Sequence, residues 1–256
     1  PPAKDAPNVL VILYDDTGQA AWSPYGGRIN MPTLDRLAKN GLTYTQWHTT
    51  ALCSPTRSCF LTGRNHHQNG FGSISESAIG FPGYNGHIPP EHATMAHVLR
   101  NAGWSTFWVG KNHNVPVDAL DMGASKKAWP LGLGYDRFYG FLGGETNQWY
   151  PELIEDNHFV EQPAQPEDGY HFSKDIADKA IAWVRQAKSL APDQPYFLHV
   201  ATGATPAPHH TPKAWIEKFK GKFDGGWDKY REETVARQKK LGVVPEDTKL
   251  TVRSKG

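Results

Sequence analysis

The run Cys53-Ser54-Pro55-Thr56-Arg57-Ser58-Cys59-Phe60-Leu61-Thr62-Gly63-Arg64 places a reactive thiol, a helix start and two guanidinium groups within twelve residues. Pro55 suits the first turn of a helix, where a missing N–H is no loss, and Gly63 suits the residue just past its end. Cys53 then sits at the helix N-terminus, where free backbone N–H groups and the macrodipole favour negative charge. Arg57, four residues on, shares a helical face with Cys53, so its planar fork is placed to reach a group attached to residue 53. The chemistry favoured is the holding of an anion beside a nucleophile. The plainer alternative is a structural cysteine buried at a helix start.

Three other segments end strand-like runs on polar side chains. Asn8 to Tyr14 is a near-continuous apolar run that reads as a buried parallel strand, and it stops at Asp15-Asp16. Adjacent carboxylates at the C-terminal end of a strand lie where open α/β sheets place their sites, either solvated or clamped on a hard cation such as Ca²⁺ or Mg²⁺. Ser105 to Val109 leads into Gly110-Lys111-Asn112-His113-Asn114, and Pro195 to Val200 leads into a loop ending Thr205-Pro206-Ala207-Pro208-His209-His210-Thr211-Pro212. Each is by itself compatible with a solvated loop. His66-His67, His92, His97, His209 and His210 also suggest transition-metal ligation, but with no His-Glu-x-x-His and no Cys-x-x-Cys a zinc site is a weak alternative.

Cys53-x-Pro55-x-Arg57 followed by Leu61-Thr62-Gly63-Arg64 resembles the signature of the type I sulfatases. The resemblance runs from about Asn8 to Asp228. It implies an alkaline-phosphatase-like α/β fold, a mostly parallel central sheet flanked by helices, and hydrolysis of a sulfate monoester on a small molecule or carbohydrate. It further implies that a formylglycine-generating enzyme converts Cys53 to formylglycine, whose hydrate is the nucleophile, and that Asp15, Asp16 and residue 53 share Ca²⁺ or Mg²⁺. Gly110-Lys111-x-His113 matches the family's Gly-Lys-x-His, whose lysine and histidine contact the sulfate and the hydrated aldehyde; Asn112 stands where an aromatic residue is common. The family's leaving-group histidine, within His-x-Pro, falls in one register on Pro206 and in the other on His210. A proton donor is then expected from His209 or His210. No convincing Asp-Asn-Gly follows His210, so the implied cation shell is incomplete; the chain is expected to correspond to the N-terminal part of such an enzyme, with the remainder lost or omitted or another chain completing the site. Phosphate or phosphonate monoester hydrolysis in the same superfamily, and an anion-binding pseudoenzyme without turnover, are the alternatives.

Composition sets outer bounds. With 256 residues and a formal net charge of +1, the chain can bury a sizeable core and carries no global sign to attract nucleic acid or a membrane surface. No apolar stretch approaches the length of a membrane span. The two cysteines, Cys53 and Cys59, lie six apart within the proposed helix and are poorly placed to bridge. The start at Pro1-Pro2 without methionine fits a processed secreted protein or a chosen boundary, and many relatives are exported, so a periplasmic or secreted location is expected; oligomeric state is left open.

The elements that must position these residues alternate between helix and strand. Pro32 to Ala38 reads as a helix closed by Asn40-Gly41, Leu42 to Trp47 as an alternating strand, and Thr94 to Gly103 as a helix feeding the strand before Lys111. Ser173 to Lys188 is a longer amphipathic helix with Ile176, Ala177, Ala180, Ile181 and Val184 as its apolar stripe. The aromatic-rich stretch from Gly132 to Tyr150 is expected to pack an irregular segment onto the sheet rather than to wall a substrate site. The whole is read as one domain over residues 1–256, with the charged segment 213–256 as a connector or surface.

Overall fold

A computed structural model describes residues 2–253. By contacts the chain forms two compact units, Pro1–Asp16 with Thr49–His210, and Thr17–His48 with Thr211–Gly256. The first holds a six-stranded sheet: β1 (Val9–Leu13), β2 (Ser105–Lys111), β3 (Arg137–Phe141), β4 (Leu153–Glu155), β5 (His158–Val160) and β6 (Tyr196–Ala201). The spatial order is β1-β6-β2-β3-β4-β5. β1, β6, β2 and β3 run parallel, and β4 and β5 add an antiparallel edge. The sheet is therefore mostly parallel, as expected for strands linked through helices.

Helices α2 (Cys53–Thr62) and α3 (Met95–Asn101) serve one face of the sheet, and α4 (Phe172–Leu190) serves the other. Alternation along the strands decides which residue meets which layer. Trp108, Phe197 and Ala201 join Leu61 of α2 and Ala96 of α3, whereas Phe107, Val109 and Leu198 join Phe172, Ile176, Ala180 and Trp183 of α4. The buried stripe of α4 thus differs from the expected one: Ala177 and Ile181 face out, and Phe172 and Trp183 face in. Trp183 spans more sheet surface than Ile181 and takes the inward position. The aromatic stretch supplies a strand, since Phe138, Tyr139 and Phe141 of β3 are buried, while Tyr150 is exposed.

Gly110 shows why β2 sits tightly between its neighbours. Its φ is +102°, and a Cβ built there would lie 1.7 Å from the carbonyl oxygen of Ala201 on β6. Only glycine tolerates both conditions.

Two expected strands come out differently. β1 forms where the apolar run predicts it and is parallel to β6, but it is an edge strand in the sheet, with Leu10 and Ile12 exposed. A run apolar on both faces looks the same in sequence whether or not both faces are covered. Leu42–Trp47 forms no strand, and Leu42, Tyr44 and Trp47 are exposed. Alternation there is not matched by a neighbouring strand to pair with. This segment belongs to the second unit, which contains α1 (Pro32–Asn40), α5 (Lys213–Phe219) and α6 (Gly226–Leu241). Within that unit, the Tyr230 hydroxyl donates to the Ala20 carbonyl at 2.9 Å and Arg237 Nε donates to the Gly26 carbonyl at 2.6 Å.

His199 of β6 is a buried titratable group on the α2 side of the sheet. It stacks on Trp108 at 4.6 Å and lies beside Phe60, and its Nδ1 is 3.3 Å from the Tyr135 hydroxyl. Burial, reinforced by the positive charge of Arg57, holds its pKa well below the ordinary histidine value. The unfolded chain takes up this proton below about pH 6.5, whereas the folded chain does not. Stability contributed by the neutral ring is therefore complete above that pH and declines by up to about 1.4 kcal/mol per pH unit on acidification. His199→Phe is expected to flatten the fall in urea midpoint between pH 6.5 and 5 relative to the unsubstituted protein. Equal slopes for the two proteins would show that His199 is not the group responsible.

Candidate active site

The site is assembled at the C-terminal ends of β1 and β2, where α2 begins. Helix α2 starts at Cys53 with Leu52 as an extended N-cap and stops at Gly63, whose φ of +67° is the left-handed geometry that glycine favours after a helix. Asp15 follows β1 and is buried; Lys111 closes β2 and is also buried. The carboxylate of Asp15 accepts from Arg57 Nη2 at 3.0 Å on Oδ1 and from Lys111 Nζ at 2.6 Å on Oδ2. Arg57 Nη1 also donates to the Lys111 carbonyl at 3.3 Å. Helix α2 and the ends of β1 and β2 are thus tied by one carboxylate.

Two buried cations against one buried carboxylate leave one positive charge in excess. In a water-poor pocket such an excess attracts an anion strongly. Arg57, expected to reach a group on residue 53, instead donates to Asp15 and to the backbone of β2. These bonds tie Arg57 to Asp15 and to the end of β2. Lys111 is likewise engaged with Asp15.

The second cluster surrounds Cys53. Its Sγ is 3.0 Å from His113 Nδ1, and His113 Nε2 is 2.9 Å from Glu76 Oε2 and 3.1 Å from Oε1. A carboxylate only accepts, so Nε2 carries the proton toward Glu76 and the neutral ring presents Nδ1 as an acceptor to the thiol. Burial lowers the His113 pKa; the Glu76 hydrogen bond opposes this, and the charges of Lys111 and Arg57 add to it. The net shift is downward, keeping the imidazole neutral at neutral pH.

Buried polar residues fix the frame of this cluster. Asn114 Nδ2 donates to the Ser54 carbonyl at 2.9 Å, and Asn112 Oδ1 accepts from the backbone N–H groups of Asn114 and Val115 at 2.7 and 3.0 Å. Asn112, where the resemblance suggests an aromatic residue, therefore shapes the turn that carries His113. Ser75 Oγ donates to the His113 carbonyl at 3.0 Å and lies 3.4 Å from Ser54 Oγ. Glu76 and Ser75 were not among the residues singled out in the sequence, and Asn114 was named only as the end of the polar run after β2. The segment around residues 72–77 has no periodic or spacing cue that links it to His113.

The loop after β6 does not join this cluster. Its Thr205 donates from N to the Asp15 carbonyl at 3.0 Å and from Oγ1 to the Asp16 carbonyl at 3.0 Å. His210 Nδ1 accepts from the Gln148 N–H at 3.3 Å, and its carbonyl lies 3.1 Å from His171 Nε2. His209 is exposed. Among the described residues neither histidine is hydrogen-bonded to Cys53, Lys111 or His113. Pro206, lacking a side-chain donor, offers no proton.

The donor set for a divalent cation is partial. Both oxygens of Asp15 face cationic side chains, Asp16 is exposed, and among the described residues no three or more His, Cys, Asp or Glu side chains gather as a metal-holding group. The Asp15, Asp16 and Cys53 set does not by itself satisfy a hard cation's demand for six or more oxygens. Both cysteines are free.

An α/β unit with strand order β1-β6-β2 and its polar cluster at the C-terminal strand ends belongs to the open, mostly parallel α/β class that places its ligand sites there. The Sulfatase family model matches residues 7–249. The chain is 31% identical over 258 residues to an arylsulfatase of Klebsiella aerogenes, covering 96% of this chain and 53% of that protein. Its fold is similar to the crystal structure of Ps i-CgsB in complex with k-i-k-neocarrahexaose, with TM-score 0.69 and 23% identity, covering 94% of this chain and 54% of that one. It is also similar to a member of the alkaline phosphatase superfamily from Vibrio parahaemolyticus, with TM-score 0.51 and 19% identity over 94% of this chain and 51% of that one. The chain belongs to the sulfatase family, and it spans about half the length of the curated relatives it matches.

Asp15→Asn would leave Arg57 and Lys111 buried without their shared counter-charge. An expected loss of about 3–5 kcal/mol in unfolding free energy follows, read from urea denaturation at neutral pH. A loss below about 1 kcal/mol would mean that water or another group neutralises the pair.

Proposed function

We propose that this chain carries the nucleophile and sulfate-binding part of a sulfuric ester hydrolase acting on aryl or carbohydrate sulfates. The observation that carries the reading is the approach of Cys53 Sγ to within 3.0 Å of His113 Nδ1 beside the Arg57–Asp15–Lys111 cluster. It unites a modifiable side chain, a proton acceptor and an excess positive charge. Formylglycine, made from Cys53 by a formylglycine-generating enzyme, supplies as its hydrate an oxygen nucleophile toward sulfur. Lys111 attracts the sulfate oxygens as a point charge, Arg57 and Asp15 hold Lys111 in place, and His113 Nδ1 accepts a proton from the substituent on residue 53. Asp15 and Asp16 would hold Ca²⁺ or Mg²⁺ only with further oxygen donors, and no step is assigned to that ion. Export to the periplasm or the exterior belongs to this reading; among the described residues no helix is long and apolar enough to cross a membrane.

A second reading, anion binding without turnover, is favoured by one observation. Among the described residues His209 and His210 are not hydrogen-bonded to the Cys53 cluster, and Pro206 has no side-chain proton to give. An ester with a poor leaving group is most sensitive to that lack.

The test is made on protein from the native host or co-expressed with a formylglycine-generating enzyme. Peptide mass spectrometry across residue 53 is expected to show the aldehyde, and nitrophenyl sulfate to be cleaved faster than nitrophenyl phosphate. Lys111→Ala is expected to lower kcat/KM by about a hundredfold or more. Unmodified cysteine in folded host protein would favour the binding-only reading; a wide preference for phosphate would move the assignment to phosphomonoester hydrolysis.

A further inference from the structure

The His113–Glu76 pair combines geometric features that the resemblance to sulfatases does not assign. Glu76 lies in a 3₁₀ turn, Ser75–Ser77, whose first residue is buried and bonded both to the His113 carbonyl and to Ser54 of α2. The turn is thereby fixed on both sides of the Cys53–His113 contact, to the His113 carbonyl and to the Ser54 hydroxyl. Glu76 itself is half exposed, while the ring it meets is only 4% exposed. A Cβ at residue 144 would stand 2.8 Å from both Cε1 and Nε2 of His113 and 3.1 Å from Glu76 Oε1, so the backbone of Gly144 lies against the pair. The ring has the Gly144 backbone at its Cε1–Nε2 edge, a carboxylate at Nε2 and residue 53 at Nδ1.

We propose that Glu76 is the positioning residue of the site: it fixes His113 as the Nε2–H tautomer and so leaves Nδ1 as the proton acceptor facing residue 53. The inference rests on the sulfatase reading for its catalytic consequence, but the tautomer is a property of this chain alone. Without Glu76, a neutral imidazole has no fixed acceptor at Nε2 and is free to place its proton on Nδ1, where it can no longer accept one from residue 53. Glu76 is an anion at the rim of an anion pocket, so its removal is not expected to weaken attraction of the sulfate. This separates positioning from binding: kcat should fall while KM holds.

The test uses the full chain with ¹⁵N-labelled histidine at pH 8. His113 is expected to show the Nε2–H pattern in the unsubstituted protein, a mixture of tautomers in Glu76→Leu, and the original pattern in Glu76→Gln, whose amide oxygen still accepts. A thermal midpoint within about 2 °C of the parent in both variants shows that folding is not the cause. In the aldehyde-bearing protein, Glu76→Leu is expected to lower kcat on an aryl sulfate by about tenfold to a hundredfold with KM within about twofold, and Glu76→Gln to recover most of it. An Nδ1–H pattern in the parent, a pattern unchanged in Glu76→Leu, or an unchanged kcat in that variant would each overturn the inference. Tautomers that follow Glu76 in a protein that cleaves no sulfate ester would support the positioning role and remove the hydrolase reading instead.

Discussion

The bridge from Asp15 to Arg57 and Lys111 is the constraint on which the rest of the site depends. Three segments far apart in sequence, the end of β1, the first turns of α2 and the end of β2, meet at one carboxylate that is only 5% exposed. Burying such charges carries a desolvation cost that hydrophobic residues of the same volume would avoid. The cluster therefore contributes position more than stability. It fixes the start of α2 relative to the strand that delivers His113, and the short Cys53–His113 contact follows from that fixed relation. The close packing of Gly110 against Ala201 serves the same end, because any side chain there would push β2 away from β6.

What was legible in the sequence was local. Cys53, Pro55, Arg57 and Gly63 announce a helix start, an inward face and a helix end through spacing alone, and α2 has those bounds. Lys111 and His113 were legible through the match of Gly110-Lys111-x-His113 to the family pattern, with the strand that ends on Lys111 as its context. Glu76 was not, because its partner is 37 residues away and arrives through a short turn without periodicity. The same limit explains Leu42–Trp47. Its alternation satisfies the local condition for a strand, but a strand also needs a partner edge, and that is a property of the whole chain.

Edge position was equally invisible. Val9–Leu13 is apolar at every position, and such a run marks a strand covered on both faces in most parallel sheets. Here Leu10 and Ile12 remain exposed. The register with β6, Leu10 opposite Leu198 and Ile12 opposite Val200, still places Asp15 beyond the strand end where Arg57 and Lys111 can reach it. The sequence pattern predicted what the strand delivers, and not what covers it.

Charge balance connects this geometry to the choice of anion. Arg57 and Lys111 against Asp15 leave an excess of one positive charge within the buried cluster, while Glu76 is half in water and committed to His113. A sulfate monoester carries one negative charge and would neutralise that excess. A phosphate monoester near neutral pH carries closer to two, and would bring an uncompensated negative charge beside Asp15. A divalent cation, by adding two positive charges, would shift the balance toward the more highly charged ester unless further carboxylates came with it. The identity and number of the ligands that such a cation would take beside Asp15 and Asp16 would therefore bear on selectivity as much as on reactivity. In a cluster this short of carboxylates, each added acidic ligand offsets part of the cation's attraction for phosphate and returns the pocket toward the single charge that sulfate matches.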